Sequence, residues 1–219
     1  NPGFEPAKDF VPVAGIATFV NALAVSGGTP AKSVNEYVAW ARSQGNKGNV
    51  GVPAPASVPE FLVRVIGEKY KLDLAAAPYR GSAPMMADML GNQIGAGVAS
   101  VPDFIENHKA GKVRVVAVLG NVRQAALPDV PTFIESGIAD FQINSWVGLL
   151  APAKTPRAII DKLNVELNAV LADPDTRAKL DALGITATPG TAAQFAGEIK
   201  RDLTRYGQVV RAAGIKAGG

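Results

Sequence analysis

A short motif occurs three times in this chain, each time after a strand-like segment and before a helix-like one. A serine stands two residues before a proline, so the serine can cap a helix and the proline falls in its first turn, where a backbone N–H is dispensable. Strands alternating with helices predict βαβ units and a parallel sheet. The copies are Ser57-Val58-Pro59, Ser82-Ala83-Pro84 and Ser100-Val101-Pro102. The predicted strands are 48–52, 71–77 and 93–98, and the predicted helices are 59–71, 83–90 and 101–109.

The second copy lies in a turn that favours anion binding. Gly81 permits a tight turn and a close approach to the backbone, Ser82 is the expected N-cap, and Arg80 offers a fork of donors. Parallel neighbours would bring all three helix starts to the carboxyl edge of one sheet, which predicts a small anion site. Any single capping serine is equally compatible with a purely stabilising role. The predicted ligand-binding residues are Ser57, Val58, Tyr79, Arg80, Gly81, Ser82, Ala83 and Ser100.

The composition restricts the function classes. The 219 residues are 47% hydrophobic and 19% charged, which suits one large domain or two small lobes. No apolar run approaches the roughly 20 residues of a membrane span. The absence of cysteine excludes disulfides and thiol chemistry. The net charge is +3, and because the basic residues are spread among acidic ones, no nucleic-acid partner is predicted.

The arrangement of the predicted elements indicates two lobes. Extended segments over residues 9–19 and 141–150 frame the βαβ region, and the C-terminal part is mostly helical. We expect residues 21–144 to form an inserted lobe, and residues 1–20 with 145–219 to form the other. The two extended segments would be the crossing strands of a hinged pair of lobes, and ligand sites favour such domain interfaces. The predicted fold class is α/β, with mainly parallel sheets flanked by helices.

Capping residues predict the remaining helices. Ser33 and Glu36 form a capping box for a helix that runs to about residue 44, and Thr132 with Glu135 predicts a short helix that ends at Gly137. The helical C-terminal part is predicted as helices over 155–172, 173–183 and 191–213, with a strand at 185–188.

Residues with catalytic potential are few. The only histidine, His108, is expected to be a solvated residue that interacts with a helix dipole. There is no nucleophile elbow, no dinucleotide or P-loop glycine pattern, and no metal-ligand cluster. Met85, Met86 and Met89 are expected to pack in the core, and Trp146 is expected to pack more than to stack on a ligand. We therefore expect no enzymatic activity, no metal and no cofactor.

Six segments, in the same order, are similar to a known family. With them the chain resembles the solute receptors of tripartite tricarboxylate transporters, the Bug family. The resemblance implies a periplasmic-binding-protein-like fold, a periplasmic location, a small carboxylate ligand and delivery to membrane permease subunits. The expected oligomeric state is a monomer. The segments are residues 4–13, 30–33, 78–84, 109–114, 127–132 and 145–152.

Some features depart from the family pattern. Family chains usually begin well before Asn1, with a turn that supplies the other half of the site, so we interpret the sequence as N-terminally truncated. Ala99 stands where the family often has an acidic residue suited to an ammonium group, and Pro53-Ala54-Pro55-Ala56 replaces a Gly/Thr-rich turn. Both changes favour a plain carboxylic acid over an amino acid. The alternatives are the effector-binding domain of a transcription regulator and, more remotely, an enzyme acting on small carboxylates.

Overall fold

The computed structural model describes residues 3–44, 48–138 and 145–212. In chain order its elements are α1 (Pro6–Asp9), β1 (Phe10–Phe19), β2 (Asn21–Ser26), α2 (Val34–Gln44), β3 (Val50–Val52), α3 (Val58–Tyr70), β4 (Ala76–Pro78), α4 (Ser82–Leu90), β5 (Ala96–Ser100), α5 (Val101–Lys109), β6 (Val113–Val118), β7 (Ser145–Pro152), α6 (Arg157–Ala172), α7 (Pro174–Ala182), β8 (Ile185–Ala187) and α8 (Ala192–Ala212).

The chain divides into two compact units. Unit 1 consists of Asn1–Thr18, Trp146–Leu180 and Thr186–Gly219, and unit 2 consists of Phe19–Ser145 and Asp181–Ile185. The chain therefore changes units near the end of β1 and at the start of β7, which are the two extended segments singled out from the sequence. The short segment Asp181–Ile185 groups with unit 2, whereas the sequence had assigned it to the other lobe.

Unit 2 is built on a five-stranded sheet with the order β4-β3-β5-β2-β6. Strand β3 pairs in parallel with β4 on one side and with β5 on the other. The three strands that precede the serine–proline motifs are therefore parallel neighbours, as predicted. Strand β2 is antiparallel to both β5 and β6, so it alone opposes the direction of the other four. The carboxyl ends of β3, β4 and β5 meet at one edge, where α3, α4 and α5 begin.

The core of unit 2 is apolar and closely packed around this sheet. All six residues of β2 are buried, as expected for a strand covered on both faces. Met85 and Met89 of α4 are fully buried, which confirms that these methionines pack in the core. A Cβ atom on Gly97 would lie 2.7 Å from the sulfur of Met89, and one on Gly51 would lie 2.8 Å from Met85 Cγ. The strand glycines therefore allow α4 to approach the sheet.

Unit 1 contains the three-stranded sheet β7-β1-β8 and the helices α6, α7 and α8. A small cluster of buried residues, Val13, Ala151 and Ile160, joins the sheet to α6. Trp146 packs edge-on against Phe195, with ring centroids 5.1 Å apart. Its indole Nε1 donates a hydrogen bond to the carboxylate of Asp202 at 2.6 Å. Trp146 therefore packs within unit 1, as expected.

The short helix predicted after Thr132 is absent, because residues 133–137 form a turn. The capping box itself is present: Thr132 Oγ1 accepts from the N–H of Glu135 at 3.1 Å, and the Glu135 carboxylate accepts from the N–H of Thr132 at 2.7 Å. Gly137, at a φ of +85°, reverses the chain after a single turn. A capping box therefore stabilises a turn here. The guanidinium of Arg123 also forms an ion pair with the carboxylate of Glu135 at 2.9 Å.

Some predicted features lie outside the described residues. They are the start of the second crossing segment (141–144) and the last residue of the helix predicted over 191–213. Within the described ranges, no helix is both long enough and apolar enough to cross a membrane.

Candidate ligand-binding site at the carboxyl edge of the sheet

Backbone hydrogen bonds join the turns that follow β3 and β4. The N–H of Tyr79 donates to the carbonyl of Val52 at 2.8 Å, and the N–H of Gly81 donates to the carbonyl of Pro53 at 2.8 Å. These bonds extend the parallel pairing beyond the strands and hold the starts of α3 and α4 beside each other.

Ser57 caps α3, as the sequence predicted. Its backbone is extended, and its Oγ accepts a long hydrogen bond of 3.4 Å from the N–H of Glu60. The same hydroxyl donates to the carbonyl of Ala54 at 2.7 Å. The carboxylate of Glu60 reaches back to the N–H of Ala56 at 2.6 Å. The hydroxyl proton of Ser57 is therefore already donated to a protein acceptor.

Ser82 does not cap α4, so that prediction was wrong. Gly81 is the N-cap, at a φ of +100°, and Ser82 is the first residue of the helix. Glycine accepts this backbone conformation without strain, which moves the helix start one residue earlier. The hydroxyl of Ser82 instead donates to Asp103 Oδ1 at 2.6 Å. It therefore links the start of α4 to the start of α5.

Ser100 and Asp103 form a capping box at the start of α5. The N–H of Ser100 donates to Asp103 Oδ2 at 3.1 Å, and the hydroxyl of Ser100 also donates to Oδ2. With Ser82 on its other oxygen, the Asp103 carboxylate accepts three hydrogen bonds at the edge. Asp103 is not among the ligand-binding residues predicted from the sequence.

Backbone N–H groups are the donors that the edge offers to a ligand. Each serine hydroxyl has one proton, and those of Ser57, Ser82 and Ser100 all go to protein acceptors. The first-turn N–H groups of Val58, Ser82 and Ala83 have no intrahelical partner. Among the described residues, none of these three donates a hydrogen bond to an acceptor outside its helix. They point out of helix N-termini that carry partial positive charge.

Arg80 and Tyr79 lie in the same turn, but only the side chain of Arg80 is exposed to solvent. Arg80 is exposed and adds a positive charge beside the N-cap Gly81. Tyr79 is partly buried, and its hydroxyl donates to the carboxylate of Asp88 at 2.8 Å. Burial, together with this hydrogen bond and the charge of Asp88, raises the pKa of Tyr79 to about 12. Tyr79 is therefore neutral and held in place, with its ring packed against the core of unit 2.

Asn21 belongs to the same edge, and sequence reasoning missed it. Strand β2 is antiparallel to β5, and the register places Asn21 opposite Ser100. Asn21 is buried, and its Nδ2 donates to Ser145 Oγ at 3.3 Å. The sequence carried one signal, the polar Asn21 at the start of β2. The strand is apolar from there to its last residue, Ser26. The position of Asn21 at the edge depends on a strand pairing between distant segments.

His108 lies on α5, and the expectation of a solvated residue was wrong. Its Nδ1 accepts a hydrogen bond of 3.1 Å from the N–H of Val115 on the edge strand β6. Burial, and then the nearby charge of Arg114, lower the pKa of His108 below its usual value. The imidazole therefore serves as a neutral acceptor for a strand N–H.

Among the residues that the structure describes, no group of three or more His, Cys, Asp or Glu side chains could hold a metal ion. The edge thus contains helix-start N–H donors, one exposed arginine and the acceptor group of Asp103. Donors and positive charge of this kind are chemically suited to an anion.

The comparisons with known proteins agree on one family. Residues 1–215 match the model of the tripartite tricarboxylate transporter family receptor. Protein BugT of Bordetella pertussis is 26% identical over 213 residues, which are 97% of this chain and 65% of BugT. The chain spans less than two thirds of the length of the first curated relatives that it matches, namely 62%, 63% and 65%.

Two solved structures from Rhodopseudomonas palustris are also similar. One was determined with adipate; it has a TM-score of 0.91 and 28% identity, over 98% of this chain and 72% of that one. The other is MatC with bound malate, which has a TM-score of 0.84 and 26% identity, over 95% of this chain and 72% of that one. The likeness therefore extends across nearly the whole chain in both sequence and structure.

Proposed function

The chain belongs to the tripartite tricarboxylate transporter receptor family, and we propose that it acts in an extracytoplasmic solute-binding receptor for a small carboxylic acid. The ligand carboxylate binds at the carboxyl edge of the five-stranded sheet. The observation that carries this proposal is the group of first-turn N–H donors at Val58, Ser82 and Ala83, held together by the hydrogen bonds of the neighbouring turns.

The chemistry of the edge suits a carboxylate. A carboxylate has two oxygens, and the starts of α3 and α4 present donors from two sides. Arg80 can add a bidentate contact from the solvent side. The adipate and malate bound by the two R. palustris proteins support this ligand class.

The roles of the predicted residues change with the geometry. Val58, Ser82 and Ala83 bind through their backbone N–H groups, and Arg80 binds through its guanidinium. Gly81 supplies the turn. The hydroxyls of Ser57, Ser82 and Ser100, together with Tyr79, support the loops from behind, because their protons are held by protein acceptors.

The remaining parts of the proposal come from family membership and from the sequence pattern. The receptor works in the periplasm as a monomer, delivers its ligand to membrane permease subunits, and neither catalyses a reaction nor binds a nucleic acid. The lobe that binds the carboxylate is residues 21–144, and residues 1–20 with 145–219 belong to the other lobe.

Calorimetric titration of the protein expressed from its whole gene tests this function. We expect binding of one or more acids from a panel of mono-, di- and aromatic carboxylates, and no binding of the matched amides. Absence of binding across the panel would contradict the receptor proposal.

A proline substitution tests the location of the site. Val58 is the first residue of α3 and Ser57 before it is extended, so Val58→Pro removes one N–H donor at a position that suits proline. The loss of one charge-assisted bond, about 1.5–3 kcal/mol, should weaken binding about tenfold or more. Arg157→Pro makes the same change at the start of α6 in unit 1 and should leave affinity unchanged. Equal affinities for both variants would place the site elsewhere.

A further inference from the structure

One buried side chain at the proposed site has hydrogen-bonding groups to spare. Asn21 begins β2 and is only 3% exposed. Its Nδ2 donates one hydrogen bond, to Ser145 Oγ at 3.3 Å, and both residues belong to unit 2. The second N–H of Nδ2 and the carbonyl oxygen Oδ1 have no partner among the described residues. Among the same residues, the Ser145 hydroxyl accepts this bond but donates its own proton to no acceptor.

The unpaired carbonyl of Asn21 lies where a ligand can reach it. In the described parts of the chain, every fully enclosed side-chain nitrogen or oxygen has a hydrogen-bond partner. Oδ1 has none, so it lies at an opening to solvent although the rest of the side chain is buried. Buried polar groups are nearly always paired in native proteins, and an exception calls for an explanation such as a bound molecule. Because Asn21 pairs with Ser100 at the carboxyl end of β5, this opening is at the carboxyl edge.

The helix start beside Asn21 offers no backbone donor of its own. Asn21 lies opposite Ser100, the N-cap of α5. The N–H of Val101 donates to the carbonyl of the residue before Asn21 at 2.9 Å, and the capping box uses the N–H of Asp103. The spare donors at this end of the edge therefore belong to the side chains of Asn21 and Ser145, in contrast to the starts of α3 and α4.

Asn21 is placed to meet the far end of a ligand whose carboxylate binds at α3 and α4. Those helices start after β3 and β4, and β5 separates β3 from β2 in the sheet. Strand β2 is thus two strand spacings from β3, a distance of about 10 Å. A ligand that spans this part of the edge has its carboxylate at one end and a second group beside Asn21 at the other.

The chemistry beside Asn21 suits an uncharged second group that both donates and accepts. A free N–H and a free carbonyl on one amide can pair with a carboxamide, whereas a carboxylate has only acceptors and leaves Oδ1 unpaired. Neither Asn21 nor Ser145 carries a charge that could offset a buried carboxylate. The carboxylate of Asp103, which accepts from the N–H of the facing Ser100 at 3.1 Å, would also repel a second carboxylate.

We propose that Asn21, held by Ser145, binds the far end of the ligand, and that the receptor favours carboxylates that end in an uncharged carboxamide or hydroxyl group. This inference rests on the proposed function and narrows its ligand class to acids with two different polar ends. It adds a second polar group to the plain carboxylic acid that the sequence favoured.

Two matched sets of acids test this preference by calorimetry on the protein expressed from its whole gene. Butyrate, succinate and succinamate share a carbon chain and differ only at the far end, which is a methyl, a carboxylate or a carboxamide. Hexanoate, adipate and adipamate form the longer set. Because the carboxamide adds hydrogen bonds without a charge, we expect the carboxamide-ended acid of at least one set to bind about tenfold or more tightly than the other two members.

Substitutions at Asn21 and Ser145 show whether these residues are the cause. Asn21→Leu keeps the size of the side chain and removes its hydrogen-bonding groups, so the preference over the methyl-ended acid should fall to about twofold or less. Affinity for the methyl-ended acid should be unchanged, whereas a purely structural role of Asn21 would weaken all the acids alike. Ser145→Ala is a milder change that removes one hydroxyl, and it should weaken only the carboxamide-ended acid.

A matched control accompanies these variants. Asn35→Leu makes the same change at an exposed position on α2 and should keep the full preference. Urea denaturation of each variant establishes that it folds.

The outcomes separate this inference from the proposed function. Equal binding within both sets, tightest binding of the dicarboxylates, a full preference in the folded Asn21 and Ser145 variants, or uniform weakening of all the acids overturns the role of Asn21 and leaves the receptor proposal intact. Binding of another carboxylate, but of no member of the two sets, overturns it as well. Failure of the whole carboxylate panel contradicts both proposals.

Discussion

The hydrogen bond between Ser82 and Asp103 should contribute measurably to the stability of unit 2. Ser82→Ala removes a donor to a carboxylate at 2.6 Å, and such charge-assisted bonds are worth about 1.5–3 kcal/mol. Both side chains are partly exposed, so competition from water should lower this to about 1–2 kcal/mol. No capping energy is lost, because the N-cap of α4 is Gly81. For a chain of this size, that destabilisation lowers Tm by roughly 2–8 °C.

A double-mutant cycle measures this bond directly. Ser82→Ala, Asp103→Ala and the double variant are compared by urea denaturation, and we expect an interaction energy of about 1 kcal/mol or more. Ser57→Ala is the control: it loses a cap, at a cost of about 1 kcal/mol, but its hydroxyl contacts Ala54 and not Asp103. Additive effects of Ser82→Ala and Asp103→Ala would refute the geometry described for the edge.

Two further predictions concern packing and pH. Gly95→Ala should lower the free energy of unfolding by about 1–3 kcal/mol in urea denaturation, because the new Cβ would lie 2.2 Å from the ring of Trp40. Because the pKa of His108 is lowered in the folded state, its imidazole stays neutral there as pH falls, while the same imidazole gains a proton in the unfolded state. Its contribution to stability should therefore be complete above pH 6.5 and decline as pH falls towards the lowered value, which urea denaturation between pH 7 and pH 5 will measure.

Each of these predictions has an internal control. A Cβ on Gly91 meets nothing closer than 3.4 Å, so Gly91→Ala should not destabilise the protein by a comparable amount. His108→Gln should flatten the pH dependence of stability between pH 5 and pH 7, since the chain has no other histidine. Equal destabilisation by the two glycine variants, or an unchanged pH profile in His108→Gln, would contradict the contacts described.

The parallel direction of the three strands in the site was predictable from local sequence. Ser57 and Ser100 stand where helices begin, and α5 runs over the predicted range, Val101–Lys109. Strands that alternate with helices favour a parallel sheet, so the shared edge was predicted, whereas the position of β3 between β4 and β5 was not. The predicted strand before α4 was too long, because only Ala76–Pro78 pairs with a neighbour.

The contacts that define the chemistry of the edge were not predictable in the same way. Whether Ser82 caps a helix depends on the backbone of Gly81 and on the position of Asp103, 21 residues later. Asn21 reaches the edge through antiparallel pairing of β2 with β5, a register that no local pattern specifies. The role of His108 depends likewise on a strand N–H of Val115.

The most direct test of the account is the response of individual amides to a bound acid. In the full protein at saturating concentration of the tightest-binding carboxylate, the amide protons of Val58, Ser82 and Ala83 should show the largest downfield NMR shifts, because a new hydrogen bond to an anion deshields them. Their hydrogen exchange should slow as well. Unchanged resonances at all three positions, with the main shifts in unit 1, would contradict a carboxylate site at this edge of the sheet.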